Sequence, residues 1–145
     1  MRILLADDNR RLRQCLRSLL ELEGFTVVGE AANGHEAVEL AHSLQPDLVV
    51  LDLAMPLLNG VSAAGKIHGN CPRIQMIMLS MYNEDSYVRA ALRGGARGYV
   101  LKTETVDDLV TAIREVARGN TYLSPSIPEG VIPSDLPVDD PFPES

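Results

Sequence analysis

Short apolar runs return along this chain at intervals of about 20–30 residues, each followed by a stretch with helical periodicity. The runs are RILLA (2–6), FTVVGEA (25–31), DLVVL (47–51), RIQMIMLS (73–80) and GYVL (98–101). After the first, Leu12, Cys15, Leu16, Leu19 and Leu20 line one face of a helix that Gly24 ends. Ala37, Val38, Leu40, Ala41 and Leu44 mark a second helix, which follows a turn at Asn33-Gly34 and closes before Pro46. The segment 59–70 predicts a short third helix and 84–95 a fourth, while Val106, Leu109, Val110, Ile113 and Ala117 predict a fifth, terminated by Gly119. Strands that are apolar without alternation need cover on both faces, and strand–helix–strand units of this length build parallel sheets. The chain is therefore expected to fold as an α/β protein, a doubly wound parallel sheet of five strands with helices on both sides.

LVVLDLAMPLLNG (48–60) sets an acid, Asp52, at the end of a run that reads as buried strand. An ionised carboxylate is costly to bury without partners. In a doubly wound sheet of order 2-1-3-4-5, ligands bind at the carboxyl ends of the strands, where the strand order reverses. Asp7 and Asp8 follow the first run, Asp52 ends the third, Ser80 ends the fourth and Lys102 follows the fifth. All five polar groups are expected on one edge of the sheet. Clustered carboxylates repel one another unless a cation lies among them, and an oxygen-only donor set suits a hard ion such as Mg2+. One carboxylate could then attack a phosphoryl group, with Lys102 offsetting charge on its oxygens and the Ser80 hydroxyl bonding one of them.

At these residues the chain resembles the receiver domain of bacterial two-component response regulators, over roughly residues 1–123. The motifs that carry the likeness are LLADDN, LVVLDLAMPLLNG, IMLSMY and GYVLK, in that order. LSMY, ALRGGARGYVLK and GNTYLSP narrow it to the NarL/FixJ type. The resemblance implies a flavodoxin-like (βα)5 fold in which Asp52 accepts a phosphoryl group from a sensor histidine kinase. Asp8 would bind Mg2+ directly and Asp7 through water, with Asp52 and the backbone carbonyl of Ala54 completing the ligands. Lys102 would contact the phosphoryl group, Ser80 would be drawn toward it, and Tyr99 would follow. The surface of the fourth helix, fifth strand and fifth helix would change in response, and phosphorylation-dependent homodimers would form. Such a chain is a switch that assists its own phosphorylation and dephosphorylation, not an enzyme of metabolism.

Hydrophobic residues make up 46% and charged residues 23%, a globular balance. No apolar run approaches a membrane span, and MRILLADD has no secretory leader, so the chain is expected to be cytoplasmic. Cys15 and Cys71 form no C-x-x-C pair and read as reduced thiols. The net charge of −7 is uneven: Glu129, Asp135, Asp139, Asp140 and Glu144 lie in a stretch without Lys or Arg, and the rest is nearly neutral. No basic surface of the kind that binds a phosphate backbone is expected, so the chain itself should not bind nucleic acid. Arg10, Arg13 and Arg17 form a stripe on the first helix that reads first as a solvated face and second as a surface that steers a kinase. His35, His42 and His68 have no metal-ligand spacing.

From Ser124 the composition turns Pro-rich and acidic, so 124–145 reads as an extended or disordered tail or a cut linker, with Ile127 able to lie on the domain. NarL/FixJ-type proteins usually continue into a helix-turn-helix domain, and none is present here. The output is then transcriptional through a domain beyond this sequence, or a protein contact made by a stand-alone receiver. Two other classes compete. A phosphohydrolase of the haloacid dehalogenase type needs a second Asp two residues after the nucleophile, where this chain has Ala54. Gly60 to Lys66 matches half of a nucleotide-binding P-loop, but Ile67 replaces the hydroxyl that would bind Mg2+.

Overall fold

Side chains alternate across the first strand, β1 (Arg2–Ala6): Ile3 and Leu5 enter one apolar cluster, Leu4 and Ala6 another. The same division runs through β3 (Leu48–Asp52) and β4 (Gln75–Ser80), both buried along almost their whole length. The computed structural model describes residues 1–104 and 106–128. The remaining elements are α1 (Arg10–Leu22), β2 (Thr26–Ala31), α2 (Gly34–Leu44), α3 (Gly60–Asn70), α4 (Asp85–Arg93), β5 (Gly98–Leu101), α5 (Val106–Ala117) and β6 (Tyr122–Leu123). Helices α1 and α5 cover one face of the sheet and α2, α3 and α4 the other, so two apolar layers flank it. No helix among the described residues is long and apolar enough to cross a membrane.

Three asparagines start three helices by the same chemistry. Asn9, Asn33 and Asn59 accept from the N–H groups of Leu12, Glu36 and Ser62, satisfying donors that have no partner within the helix. Asn33-Gly34 is thus the cap and first residue of α2 rather than a free turn.

The sheet is parallel, with the order β2-β1-β3-β4-β5-β6. Five strands were expected, and the described residues form six. The sixth pairs Tyr122 and Leu123 with Gly98 and Tyr99, extending the sheet past β5. Two residues are too short to show a strand period, and what makes them a strand is the otherwise open edge of β5. Ser124 and Ile127 follow it into buried positions. The Pro-rich segment from residue 129 onward, for which disorder is expected, lies outside the described residues. Cys15 and Cys71 are free thiols, the first exposed and the second buried.

Candidate functional site

β1 and β3 lie side by side, pairing Ala6 with Leu51, so the residues that follow these two positions emerge together at the carboxyl edge. Asp7 and Asp52 are both buried there, with Asp8 exposed beside them. Carboxylate oxygens of all three lie within 4.8 Å of one another. Lys102, one residue past β5, reaches over this edge: its Nζ stands 3.0 Å from Asp7 Oδ2 and 3.1 Å from Asp52 Oδ1. The Lys102 N–H donates to the Ser80 carbonyl at 2.7 Å, which ties the turn after β5 to the end of β4.

Burial pushes the Asp52 carboxyl up to about 7, and the neighbouring charge of Asp7 adds to it, while Lys102 and the Ala54 N–H pull the other way. Burial also opposes the charge of Lys102, but its pairs with Asp7 and Asp52 outweigh that, and its pKa is raised. One ammonium between two buried acids thus leaves negative charge incompletely offset.

Asp7 Oδ2 is buried and lacks a well-directed hydrogen bond; its partner at 3.0 Å is an ion pair with Lys102. An acceptor left in that state, in a cluster of three carboxylates with no nitrogen or sulfur donor, fits a hard divalent cation. Asp7, Asp8 and Asp52 could hold such an ion. Ala54 is exposed two residues past Asp52, and its N–H points toward Asp52 Oδ1 at 3.4 Å.

Ser80 ends β4, fully buried, and its Oγ accepts from the Tyr82 N–H at 2.9 Å. Tyr99 is also fully buried, and its hydroxyl donates to the Tyr82 carbonyl at 2.6 Å. Burial raises the Tyr99 phenol to about 12. Asp7, Asp8, Asp52, Ser80 and Lys102 therefore lie along one edge, and Ser80 and Tyr99 both hold the main chain of Tyr82 while the Ser80 side chain also hydrogen-bonds the Tyr99 phenol. The Tyr82 ring stacks on Tyr87 with centroids 4.8 Å apart. Its position two residues after Ser80 puts Tyr82 beside the pocket, but the part played by its main-chain carbonyl leaves no mark in a sequence.

Gly60 to Lys66 does not form a phosphate loop. Gly60 opens α3, and Gly65 and Lys66 lie within that helix. The glycine has a packing role instead: a Cβ on Gly60 would stand 2.3 Å from the Asp52 carbonyl oxygen. The α1 stripe is only partly a solvated face, because Arg13 and Arg17 both pair with Glu30.

A family model described as the response regulator receiver domain matches residues 3–114. The response regulator protein VraR of Staphylococcus aureus is 37% identical over 128 residues, 88% of this chain and 61% of VraR. The chain spans 56–61% of the length of the curated relatives it matches. Among solved structures, a LuxR-family two-component response regulator from an Aurantimonas species is 35% identical with a TM-score of 0.84, covering 87% of this chain and 91% of that one. The isolated REC domain of RcsB from Salmonella enterica serovar Typhimurium, solved with the phosphomimetic BeF3−, is 27% identical with a TM-score of 0.79, covering 88% and 95%. A match over most of the folded unit, with the acids and the lysine gathered at the edge where the sheet's order reverses, makes this chain a member of the response regulator receiver domain family, of the NarL/FixJ-like kind.

Proposed function

We propose that this chain is a phosphoacceptor switch in which Asp52 takes a phosphoryl group from a sensor histidine kinase. The observation that carries this reading is the placement of Lys102 Nζ 3.0 Å from Asp7 and 3.1 Å from Asp52. A carboxylate oxygen of Asp52 forms the new P–O bond as the P–N bond to the donor histidine breaks. Asp7, Asp8, Asp52 and the Ala54 carbonyl hold Mg2+, which when bound supplies positive charge against the carboxylates and the phosphoryl oxygens. Lys102 turns from its carboxylate partners toward a phosphoryl oxygen, and the Ser80 hydroxyl bonds another.

Ser80 cannot move without releasing the Tyr82 N–H it now accepts from, and Tyr82 in turn holds the Tyr99 hydroxyl. New phosphoryl contacts at Ser80 would reach the α4–β5–α5 surface by that route and favour a homodimer. The curated relatives' greater length supports an output domain beyond this chain that regulates transcription in the cytoplasm, while this chain itself makes no contact with nucleic acid.

Intact-mass measurement after incubation with Mg2+ and a small acyl phosphate tests the site. The wild type should gain one phosphoryl group and Asp52→Ala none; equal modification of both would refute the assignment.

A further inference from the structure

Asp7 is held at three of its four polar atoms by hydrogen bonds, and the fourth meets only an ion pair. Its N–H donates to the Ala31 carbonyl at 3.0 Å, Oδ1 accepts from the Asn9 N–H at 2.8 Å, and Oδ2 faces Lys102. Its carbonyl oxygen accepts from Arg13 Nη1 at 2.5 Å. The last contact comes from α1, six residues further along the chain, and belongs to a residue read in the sequence as surface charge.

Arg13 is not a surface charge. Its side chain is only 13% exposed, and its Nε donates to Glu30 Oε1 at 2.7 Å. Glu30 lies on β2, one position before the residue paired with Ala6, and its other oxygen takes Arg17 Nη1 at 2.8 Å. Glu30 therefore anchors the guanidinium fork from the neighbouring strand, and the fork's free arm clamps the peptide that carries Asp7 into the loop.

Charge makes this arrangement informative. A guanidinium close to a cation site opposes the cation by repulsion, so an arginine here costs binding if it acts only through its charge. Glu30 offsets that charge while leaving the donor geometry intact. We infer that Arg13, locked by Glu30, is a positioning residue that holds the Asp7 main chain and so sets the affinity of the acid cluster for a divalent cation. The inference rests on the reading of Asp7 as part of a metal site.

The two readings of Arg13 predict opposite signs. Isothermal titration of MgCl2 into the full unphosphorylated chain should give an Arg13→Gln dissociation constant about tenfold above wild type, the size of effect seen when a residue supporting a metal ligand is removed. If Arg13 contributes charge alone, its removal tightens binding, and that result, or an unchanged constant, overturns the inference. Arg17→Gln is the control, since Arg17 shares Glu30 but does not touch Asp7; its constant should match wild type, and a loss equal to that of Arg13→Gln would also overturn it.

Arg13→Lys is the second variant, should Arg13→Gln not fold by circular dichroism in metal-free buffer. It keeps the charge but loses the fork that Glu30 and the Asp7 carbonyl share, so Mg2+ binding should weaken as it does in Arg13→Gln. An unchanged constant for Arg13→Lys would overturn the inference. Failure of the wild type itself to bind Mg2+ would refute the proposed metal site, a result distinct from a bound ion whose affinity ignores Arg13.

Discussion

The Tyr99 hydroxyl and the Tyr82 carbonyl, 17 positions apart in the chain, meet in a 2.6 Å hydrogen bond. Because Tyr82 also gives its N–H to Ser80 Oγ, the two successive peptides that flank Tyr82 in the β4–α4 connection are both held. Tyr99→Phe leaves that carbonyl without its donor. The variant should lose about 1 kcal/mol in urea unfolding, and hydrogen exchange at residues 82–84 should speed up while β1 and β3 keep their protection. Unchanged exchange in that connection would mean that Tyr99 packs there without restraining it.

Asp52 should make stability depend on pH. Its carboxyl titrates at about 7 in the folded chain against an ordinary 3.8, because it is buried next to Asp7. Between those values the folded state keeps a proton that the unfolded state has released, so stability falls as pH rises through that window and levels off above it. Asp52→Asn should match wild type near about pH 4 and exceed it at about pH 8 by on the order of 2 kcal/mol in metal-free buffer. A gap of the same size at both pH values would contradict the assignment.

A third buried acid, Asp108, holds the end of the sheet together. Asp108 Oδ2 accepts from Ser124 Oγ at 2.5 Å and Oδ1 from the Tyr122 hydroxyl, while the same Ser124 oxygen accepts the Leu101 N–H at 2.9 Å. α5, β5 and the segment leaving β6 are clasped at one carboxylate. Asp108→Ala should cost about 2 kcal/mol with the urea slope unchanged, and limited proteolysis should then cut first after residue 120. Cleavage elsewhere would show that β6 holds without the clasp.

Two neighbouring positions after β3 should respond in opposite directions. Gly60→Ala drives a Cβ to 2.3 Å from the Asp52 carbonyl, and should cost on the order of 2 kcal/mol as well as lower the yield of phosphorylation. Leu57 has φ 69 and is 76% exposed, so its side chain loses little contact on replacement. Leu57→Asn should gain roughly 0.5 kcal/mol, because asparagine tolerates that backbone conformation better. Thermal midpoints of the two variants decide the matter, and a drop for Leu57→Asn would mean that the leucine packs against something that its exposure conceals.

Much of this architecture was legible because periodicity is local. RILLA and GYVL coincide with β1 and β5, and five helices arise where the apolar spacing predicts them. The convergence of Asp7, Asp8, Asp52, Ser80 and Lys102 was also legible, since a parallel sheet sends the carboxyl end of every strand to the same edge. The sixth strand was not, because Tyr122 and Leu123 become a strand only by pairing with Gly98 and Tyr99.

What the sequence determined by itself, then, is the order of strands and helices and the edge on which the acids gather, both consequences of residue spacing along one chain. The tertiary structure alone decided which atoms hold those acids in place. Arg13 reads as one more charge on a helix until β2 brings Glu30 against it, and its free donors then find the Asp7 carbonyl. Tyr82 lies two residues after Ser80 in the sequence, but its main-chain groups gain a role only when Ser80 and Tyr99 close on them. Main-chain acceptors and ion pairs between distant strands depend on distances that only the packed sheet sets, and no spacing along the chain encodes them.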